Sequence, residues 1–384
     1  MNNPTPEPRL RVALLFDWFF YYTSAIANGL AQHADILMIM RDHGYELGVV
    51  EHAAIPTKRG MLEPEVRVAW IRGRRRSVTG IVTAAQAATA LRAFKPDVLH
   101  IQQHDDWRLW LIQKSAMGTP SVLTLHAVDY HVELGRSPAL TPFDRIVRRS
   151  ADAYIVLGAN LVPVVERQTC CKTGKPIHVV PHGPLSYPSA SCPLPDSFTA
   201  LFFGHIEYYK GLDIFIRAVE LAACDVPDIR AIIAGRGPDV SRCMGLPRLP
   251  QLFEWREGRI PDADLPQLLA ESSVVVLPYR EAGQSGVIPV AFANARTVIV
   301  TPVGALVDAV SHNINGVVTE DATAEAVAEA LVLLARSPRL LGNLSRGAHE
   351  TMLTGSLSQT QVVRRHLEIY HSLARVSAVA HPVA

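Results

Sequence analysis

PYREAGQSGVIPVAFANARTVIVTPVGAL, from Pro278 to Leu306, carries the pattern on which the fold turns. The apolar run SVVVLPY (273–279) leads into a short polar loop holding Glu281 and then Gln284-Ser285-Gly286. A helix near 286–295 follows, and then a second apolar run, TVIVTPVG (297–304). Strand, helix and strand in that order, with strands that do not alternate, make a βαβ unit whose parallel strands are buried on both faces. Glycine and serine at the helix start let a backbone approach a diphosphate closely, and free N–H groups there attract negative charge. A carboxylate beside that point can accept hydrogen bonds from sugar hydroxyls. The same residues also fit an ordinary helix start, with Ser285 as cap and Glu281 complementing the helix dipole.

The same rhythm extends in both directions. Towards the N-terminus of this half lie FTALFFG (198–204), a helix from about 211, RAIIAG (230–235), QLFEW (251–255) and a helix near 262–271. The first half repeats it: LRVALLF (10–16), a helix at 22–33, DILMIM (35–40), VRVAWI, a helix near 78–94, DVLHIQ (97–102), a helix near 107–116, SVLTLH (121–126), a helix near 141–150, AYIVL (153–157) and IHVVP (177–181). Between the halves, Pro184 to Asp196 is rich in Pro and Ser, has neither period and reads as a linker. The expected architecture is α/β, with two Rossmann-like doubly wound domains: 1–183, a linker at 184–197, and 198–357. Two such domains facing each other form a cleft at the carboxyl ends of their strands, where open α/β sheets bind ligands.

The 384 residues, 48% hydrophobic and 19% charged, suit two sizeable cores and exclude a disordered chain. Five cysteines without CxxC spacing suggest neither a disulfide framework nor a zinc site. MNNPTPEPRLRV lacks the order of a signal peptide, and no uncharged stretch reaches a clean span of about 20 apolar residues. A cytoplasmic protein is therefore expected. The net charge of +1 conceals an asymmetry: residues 1–180 hold 21 Lys/Arg against 16 Asp/Glu, leaving 16 and 20 for the rest. Arg72, Arg74, Arg75 and Arg76, with Arg145, Arg148 and Arg149, could meet an anionic membrane, or simply be solvated.

A second informative segment is FFGHIEYYKGLDIFIRAVE, Phe202 to Glu220, where strand-end Gly204 leads through a short loop to Lys210-Gly211 and an amphipathic helix. Lys210 is expected at the cleft mouth, where an ammonium can neutralise a diphosphate as it leaves; a lone Lys before a helix is otherwise a surface residue. In the first domain, Thr124-Leu125-His126 ends a strand and is followed by Asp129 and His131. His104, Asp105 and Asp106 follow another strand and could bind an acceptor or form a solvated loop. His182 in Pro181-His182-Gly183 reads as hinge structure.

GHIEYYKGLD (204–213) and REAGQSGVIPVAFA (280–293), with AGRGP (234–238) and INGVV (314–318), resemble the retaining GT-B glycosyltransferases of family 4. The resemblance spans most of the chain. It implies a GT-B fold and transfer of a sugar from a nucleotide-sugar donor to a hydroxyl of a glycan or lipid-linked acceptor, in surface polysaccharide biosynthesis. By the same resemblance Lys210 binds the donor diphosphate, Glu281 contacts the transferred sugar and His126 lies near that sugar, so these three are the expected catalytic residues. Gly204, His205, Gly235, Gln284, Ser285, Gly286 and Val287 complete the expected donor site. The last helix, 358–375, is expected to cross back onto the first domain. No cofactor, metal or nucleic acid is expected, since Lys210 and helix N-terminal amides offer the diphosphate its counter-charge and the donor domain has no His/Cys cluster for a cation. Peripheral contact with the inner membrane face is expected.

Three departures from the family pattern stand out. His205 replaces the usual Arg; the position eight after Glu281 is Pro289, so the Glu-x7-Glu motif is incomplete; and Phe19 to Ser24 replaces a glycine pair. Tyr21 and Tyr22 in that last segment, with His104 and Asp105, are the expected acceptor residues, although burial as core fits the tyrosines equally. The alternatives are a sugar-nucleotide epimerase of similar fold and a non-enzymatic two-lobed sugar-binding protein.

Overall fold

The computed structural model describes residues 9–41, 44–46, 49–51, 59–104, 106–126, 142–168 and 174–380. Two parallel sheets divide the chain. The first has seven strands, β1 (Leu10–Phe16), β2 (Ala34–Arg41), β5 (Arg67–Ile71), β6 (Val98–Gln102), β7 (Ser121–Leu125), β8 (Ala153–Val156) and β9 (Ile177–Val179), in the order β5-β2-β1-β6-β7-β8-β9. A separate antiparallel pair, β3 (Gly44–Glu46) and β4 (Val49–Glu51), intervenes after β2. The second sheet has six strands, β10 (Thr199–His205), β11 (Arg230–Arg236), β12 (Phe253–Glu257), β13 (Val274–Leu277), β14 (Thr297–Val300) and β15 (Gly316–Val318), in the order β12-β11-β10-β13-β14-β15. Both are doubly wound, and their strand order reverses beside β1 and beside β10. Loops diverge at such a reversal and leave a crevice.

Helices cover both faces. In the first domain they include α1 (Phe20–Ala31), α2 (Val78–Phe94), α3 (Trp107–Lys114), α4 (Pro142–Ser150) and α5 (Val162–Arg167). In the second they include α6 (Leu212–Ala222), α7 (Val240–Cys243), α8 (Leu265–Ala270), α9 (Val287–Ala293), α10 (Leu306–Ala309), α11 (Ala324–Arg336) and α12 (Pro338–Leu353). The last helix, α13 (Gln359–Ala380), buries Val362, Val363, Ile369 and Tyr370 in the first domain's core beside Ile26 and Leu30 of α1. Its Gln359 side chain donates to the carbonyl of Ala25.

The segment between the sheets is docked rather than free. The fully buried Arg296 guanidinium donates to the carbonyls of Cys192 (2.9 Å) and Pro193 (2.8 Å), and to those of Leu269 and Ser272 in its own domain. The Ala190 N–H donates to Asn294 Oδ1 at 2.9 Å. Leu185 and Tyr187 pack against apolar clusters of both domains.

Candidate functional site

A cavity of about 240 Å³ opens at the carboxyl ends of β10 and β11, where the second sheet reverses. Its floor exists because two neighbouring strands each carry a glycine as their last-but-one residue, Gly204 and Gly235. Gly235 has φ +141°, and a Cβ there would lie 2.0 Å from the Gly204 carbonyl oxygen, so no side chain can occupy this corner. Gly211 meets the same kind of limit: φ is +70°, and a Cβ would come within 2.0 Å of the Pro278 carbonyl oxygen. That close approach turns the chain from Tyr208–Lys210 into α6 and folds Lys210 inward.

Lys210, expected at the cleft mouth, is instead buried, only 8% exposed, with Nζ 5.7 Å from the Tyr279 ring centre and 5.9 Å from that of Tyr209. Burial depresses its ammonium to about 8, and Glu207 partly offsets this. An ammonium held in so apolar a setting is poised to gain from an arriving anion. Around it the cavity wall presents polar atoms shielded from solvent and without hydrogen-bond partners: Nδ1 of His205, Nη2 of Arg236 and Oε1 of Gln284. His205 Nε2 meets Glu207 at 3.0 Å. Buried polar groups in native proteins are nearly always paired, so this cluster calls for a polar ligand.

The opposite wall is the loop before α9. Gln284, Ser285, Gly286 and Val287 all line the cavity, with Ser285 Oγ 3.3 Å from the Val287 N–H and 3.4 Å from Tyr279 Oη. Burial pushes the Tyr279 hydroxyl up to about 12, the Ser285 bond opposing it. Glu281 lies in the same loop but is exposed and outside the cavity lining. Val290, one turn into α9, adds an apolar surface beside the position where the Glu-x7-Glu motif is interrupted by Pro289.

The first domain contributes Tyr21, which lines the cavity, stacks on Tyr187 with ring centres 3.9 Å apart and donates to Asp262 of the second domain. Tyr22 is core: its ring meets those of His126 and His182 at 5.0 Å, and burial raises its hydroxyl pKa. His126 is buried, its Nε2 2.7 Å from Gln102 Oε1 and its ring stacked on Phe19 at 3.7 Å. It lies beside the cavity loop: a Cβ on Gly283 would be 3.6 Å from the His126 carbonyl oxygen. Burial, and less strongly His182, hold the His126 imidazole well below its ordinary pKa, so it is neutral. His104 is buried 22 residues earlier in the chain, while Asp105, Asp129 and His131 lie outside the described residues.

The structure therefore gathers Gly204, His205, Lys210, Gly235, Gln284, Ser285, Gly286, Val287 and Tyr21 around one cavity, and leaves His126, Tyr22, His104 and Glu281 outside its lining. It adds Arg236, Tyr209, Tyr279 and Asp262, which the sequence reading did not single out. Among the described residues no group of three His, Cys, Asp or Glu side chains could hold a metal ion, and no helix is long and apolar enough to cross a membrane.

Two family models match the chain: Glycosyltransferase Family 4 over residues 26–183 and Glycosyl transferases group 1 over residues 197–337. No curated protein matches it. Solved structures resemble it along nearly the whole length. A glycosyltransferase from Rickettsia africae is 15% identical, with a TM-score of 0.69, covering 95% of this chain and 98% of its own. Anabaena HepE in complex with UDP and glucose is 15% identical, with a TM-score of 0.69, covering 94% and 100%. Sucrose-phosphate synthase from Thermosynechococcus elongatus is 15% identical, with a TM-score of 0.67, covering 95% and 100%.

Proposed function

Given that this chain is a glycosyltransferase enzyme of the GT-B fold, we propose that it takes a nucleoside-diphosphate sugar into the second-domain cavity and transfers the sugar, with retention, to a hydroxyl of a glycan or lipid-linked acceptor in surface polysaccharide biosynthesis. The observation that carries the donor reading is the buried Lys210 ammonium beside unpartnered atoms of His205, Arg236 and Gln284. A diphosphate supplies the negative charge and the acceptor oxygens that Lys210 and Arg236 need. The UDP and glucose of the Anabaena structure, which shares the fold, support a uridine nucleotide as the first candidate.

In this reading Lys210 and Arg236 take the diphosphate, with the N–H groups of Gly286 and Val287 near its other side. Charge that grows on the leaving diphosphate is then met by groups already desolvated and fixed, which is the most effective form of electrostatic stabilisation. Glu281 reaches the transferred sugar when the loop is occupied. Retention without a protein nucleophile follows from front-face attack, in which the leaving diphosphate takes the proton of the acceptor hydroxyl. Lys210 acts where a metal would otherwise stand, so activity should survive a chelator.

The test is thermal unfolding with UDP, GDP, ADP and their sugars, since a ligand of the native state stabilises it by mass action. Stabilisation by one nucleotide class that disappears in Lys210→Ala supports the donor site; no stabilisation by any of them rejects it. Donor turnover without acceptor would favour an epimerase instead.

Contact with the inner face of the cell membrane is part of the proposal, supported by one surface of the first domain. α2 exposes Val78, Ile81 and Val82 beside the exposed Arg72, Arg74 and Arg76. Apolar side chains flanked by arginines suit an anionic lipid surface.

A further inference from the structure

A buried chain of hydrogen bonds runs from α13 to His126. Tyr370 Oη lies 2.6 Å from His100 Nδ1. His100 Nε2 meets Thr124 Oγ1 at 2.7 Å and Gln102 Nε2 at 3.2 Å. Gln102 Oε1 then meets His126 Nε2 at 2.7 Å. Tyr370, His100, Gln102 and Thr124 are all inaccessible to solvent, so each polar atom is obliged to find its partner within the chain.

The direction of these bonds follows from what each atom can do. An amide nitrogen only donates, so His100 Nε2 carries a lone pair and the His100 hydrogen sits on Nδ1, donated to Tyr370 Oη. An amide oxygen only accepts, so His126 donates from Nε2. A neutral imidazole with its hydrogen on Nε2 has a lone pair on Nδ1. That Nδ1 is shielded from solvent and has no hydrogen-bond partner, and neither has the hydroxyl of Tyr22, whose ring edge meets the same imidazole. The ring cannot turn to satisfy itself. Phe19 stacks on its face at 3.7 Å, in a left-handed backbone conformation (φ 69°), and Gln103 Oε1 accepts the His126 backbone N–H at 3.1 Å.

We propose that Gln102, oriented by His100 and Tyr370, is a positioning residue that fixes His126 as its Nε2–H tautomer, so that Nδ1 accepts a hydrogen bond from a hydroxyl of the bound sugar. The inference rests on the reading of His126 as the first-domain residue nearest the transferred sugar, and it makes α13, at the far end of the sequence, part of the catalytic apparatus.

Nitrogen-15 spectra of the full chain, with His126 assigned by His126→Gln, read the tautomer without reference to activity. The wild-type chain should show a protonated Nε2 and a pyridine-type Nδ1 at His126. Tyr370→Phe keeps the packing and removes the acceptor of His100 Nδ1–H. His100 then moves its hydrogen to Nε2, the Gln102 amide turns its oxygen towards it, and the Gln102 nitrogen donates to His126 Nε2, which shifts the His126 hydrogen to Nδ1. kcat should fall about tenfold while the donor KM changes by less than about twofold. A wild-type His126 protonated on Nδ1, or a tautomer unchanged in Tyr370→Phe, overturns the relay. If Tyr370→Phe switches the tautomer and kcat stays the same, the positioning role is overturned. An active His126→Gln in that case shows that the failure lies in the reading of His126 itself; an inactive one shows that it lies in the relay.

Discussion

Tyr21 of α1 donates a hydrogen bond to Asp262, so a residue of the first domain is tied to the wall of the cavity built by the second. Asp262 is also approached by Arg259 at 3.3 Å, and the Tyr21 ring is held by Tyr187. Tyr21→Phe keeps the ring stack and deletes only the hydrogen bond. A net loss of about 0.5–1.5 kcal/mol is expected for such a bond, seen as a severalfold rise in donor KM with little change in the unfolding midpoint. Equal KM values for the variant and the wild type would show that the contact does not hold the domains together in solution.

Lys210 should trade stability for binding. Its ammonium is buried and lowered to about 8, below the unfolded value near 10.4. Between those two values the unfolded chain holds a proton that the folded chain has released, so the Lys210 contribution to stability rises with pH. Nucleotide binding runs the other way, because it needs the charge, and free-nucleotide affinity should decline as pH passes about 8. Lys210→Met should stabilise the unliganded protein by about 1–3 kcal/mol. The same variant should raise the barrier to transfer by roughly 2–4 kcal/mol. Denaturant melts and single-turnover rates on one preparation check both signs.

Glu281 is exposed in the loop whose other residues line the cavity. If it touches the transferred sugar, Glu281→Gln should leave free UDP affinity within about twofold and lower kcat/KM for the donor by roughly tenfold or more. Calorimetry with UDP and with the intact donor separates the two. A loss of UDP affinity as severe as that of Lys210→Ala would place Glu281 on the nucleotide instead.

Vesicle binding tests the arginine segment, but not through every arginine in it. Arg75 is drawn inward, 3.8 Å from both Asp17 and Asp106, in a network completed by Arg41 and the fully buried Arg108. Reversing its charge would break that network and confound the measurement, whereas Arg74 and Arg76 are exposed. Arg74→Glu with Arg76→Glu should weaken retention on anionic vesicles at low salt, each basic residue contributing about 1 kcal/mol near such a surface. Unchanged retention would reject this face as the docking surface.

Arg296 offers a test of how the linker is held. Its guanidinium serves buried carbonyls on both the linker and the second domain, and burial lowers its pKa. Arg296→Ala leaves several acceptors unpaired and should cost about 3 kcal/mol or more, measurable by urea denaturation. Arg296→Lys should recover only part of this, because one ammonium cannot reproduce the planar fork.

The residues legible from sequence were those whose chemistry coincides with a break in pattern. Gly204 lies at a strand end, Lys210 in the turn just before a helix and Gln284 to Val287 at a helix start, so each falls where periodicity changes and a ligand can approach. Arg236 stands in AGRGP (234–238), where a long cation directly after a glycine near the strand end is the available signal. Asp262 and Tyr187 gave none, because each acquires its role from a partner remote in sequence. His100 and Gln102 did leave a trace: they are polar residues inside an apolar strand run, and a buried strand tolerates these only when they are paired. What they pair with depends on how α13 packs, which no local pattern encodes.

Because α13 supplies Val362, Val363, Ile369 and Tyr370 to a core otherwise built from residues before 184, the first domain is discontinuous in the chain. During synthesis the second domain has all its strands and its own apolar clusters before the first domain's last core helix leaves the ribosome. The half that begins first is therefore completed last, and its apolar seam along Ile26 and Leu30 stays open to chaperones or aggregation for the time needed to make the intervening residues.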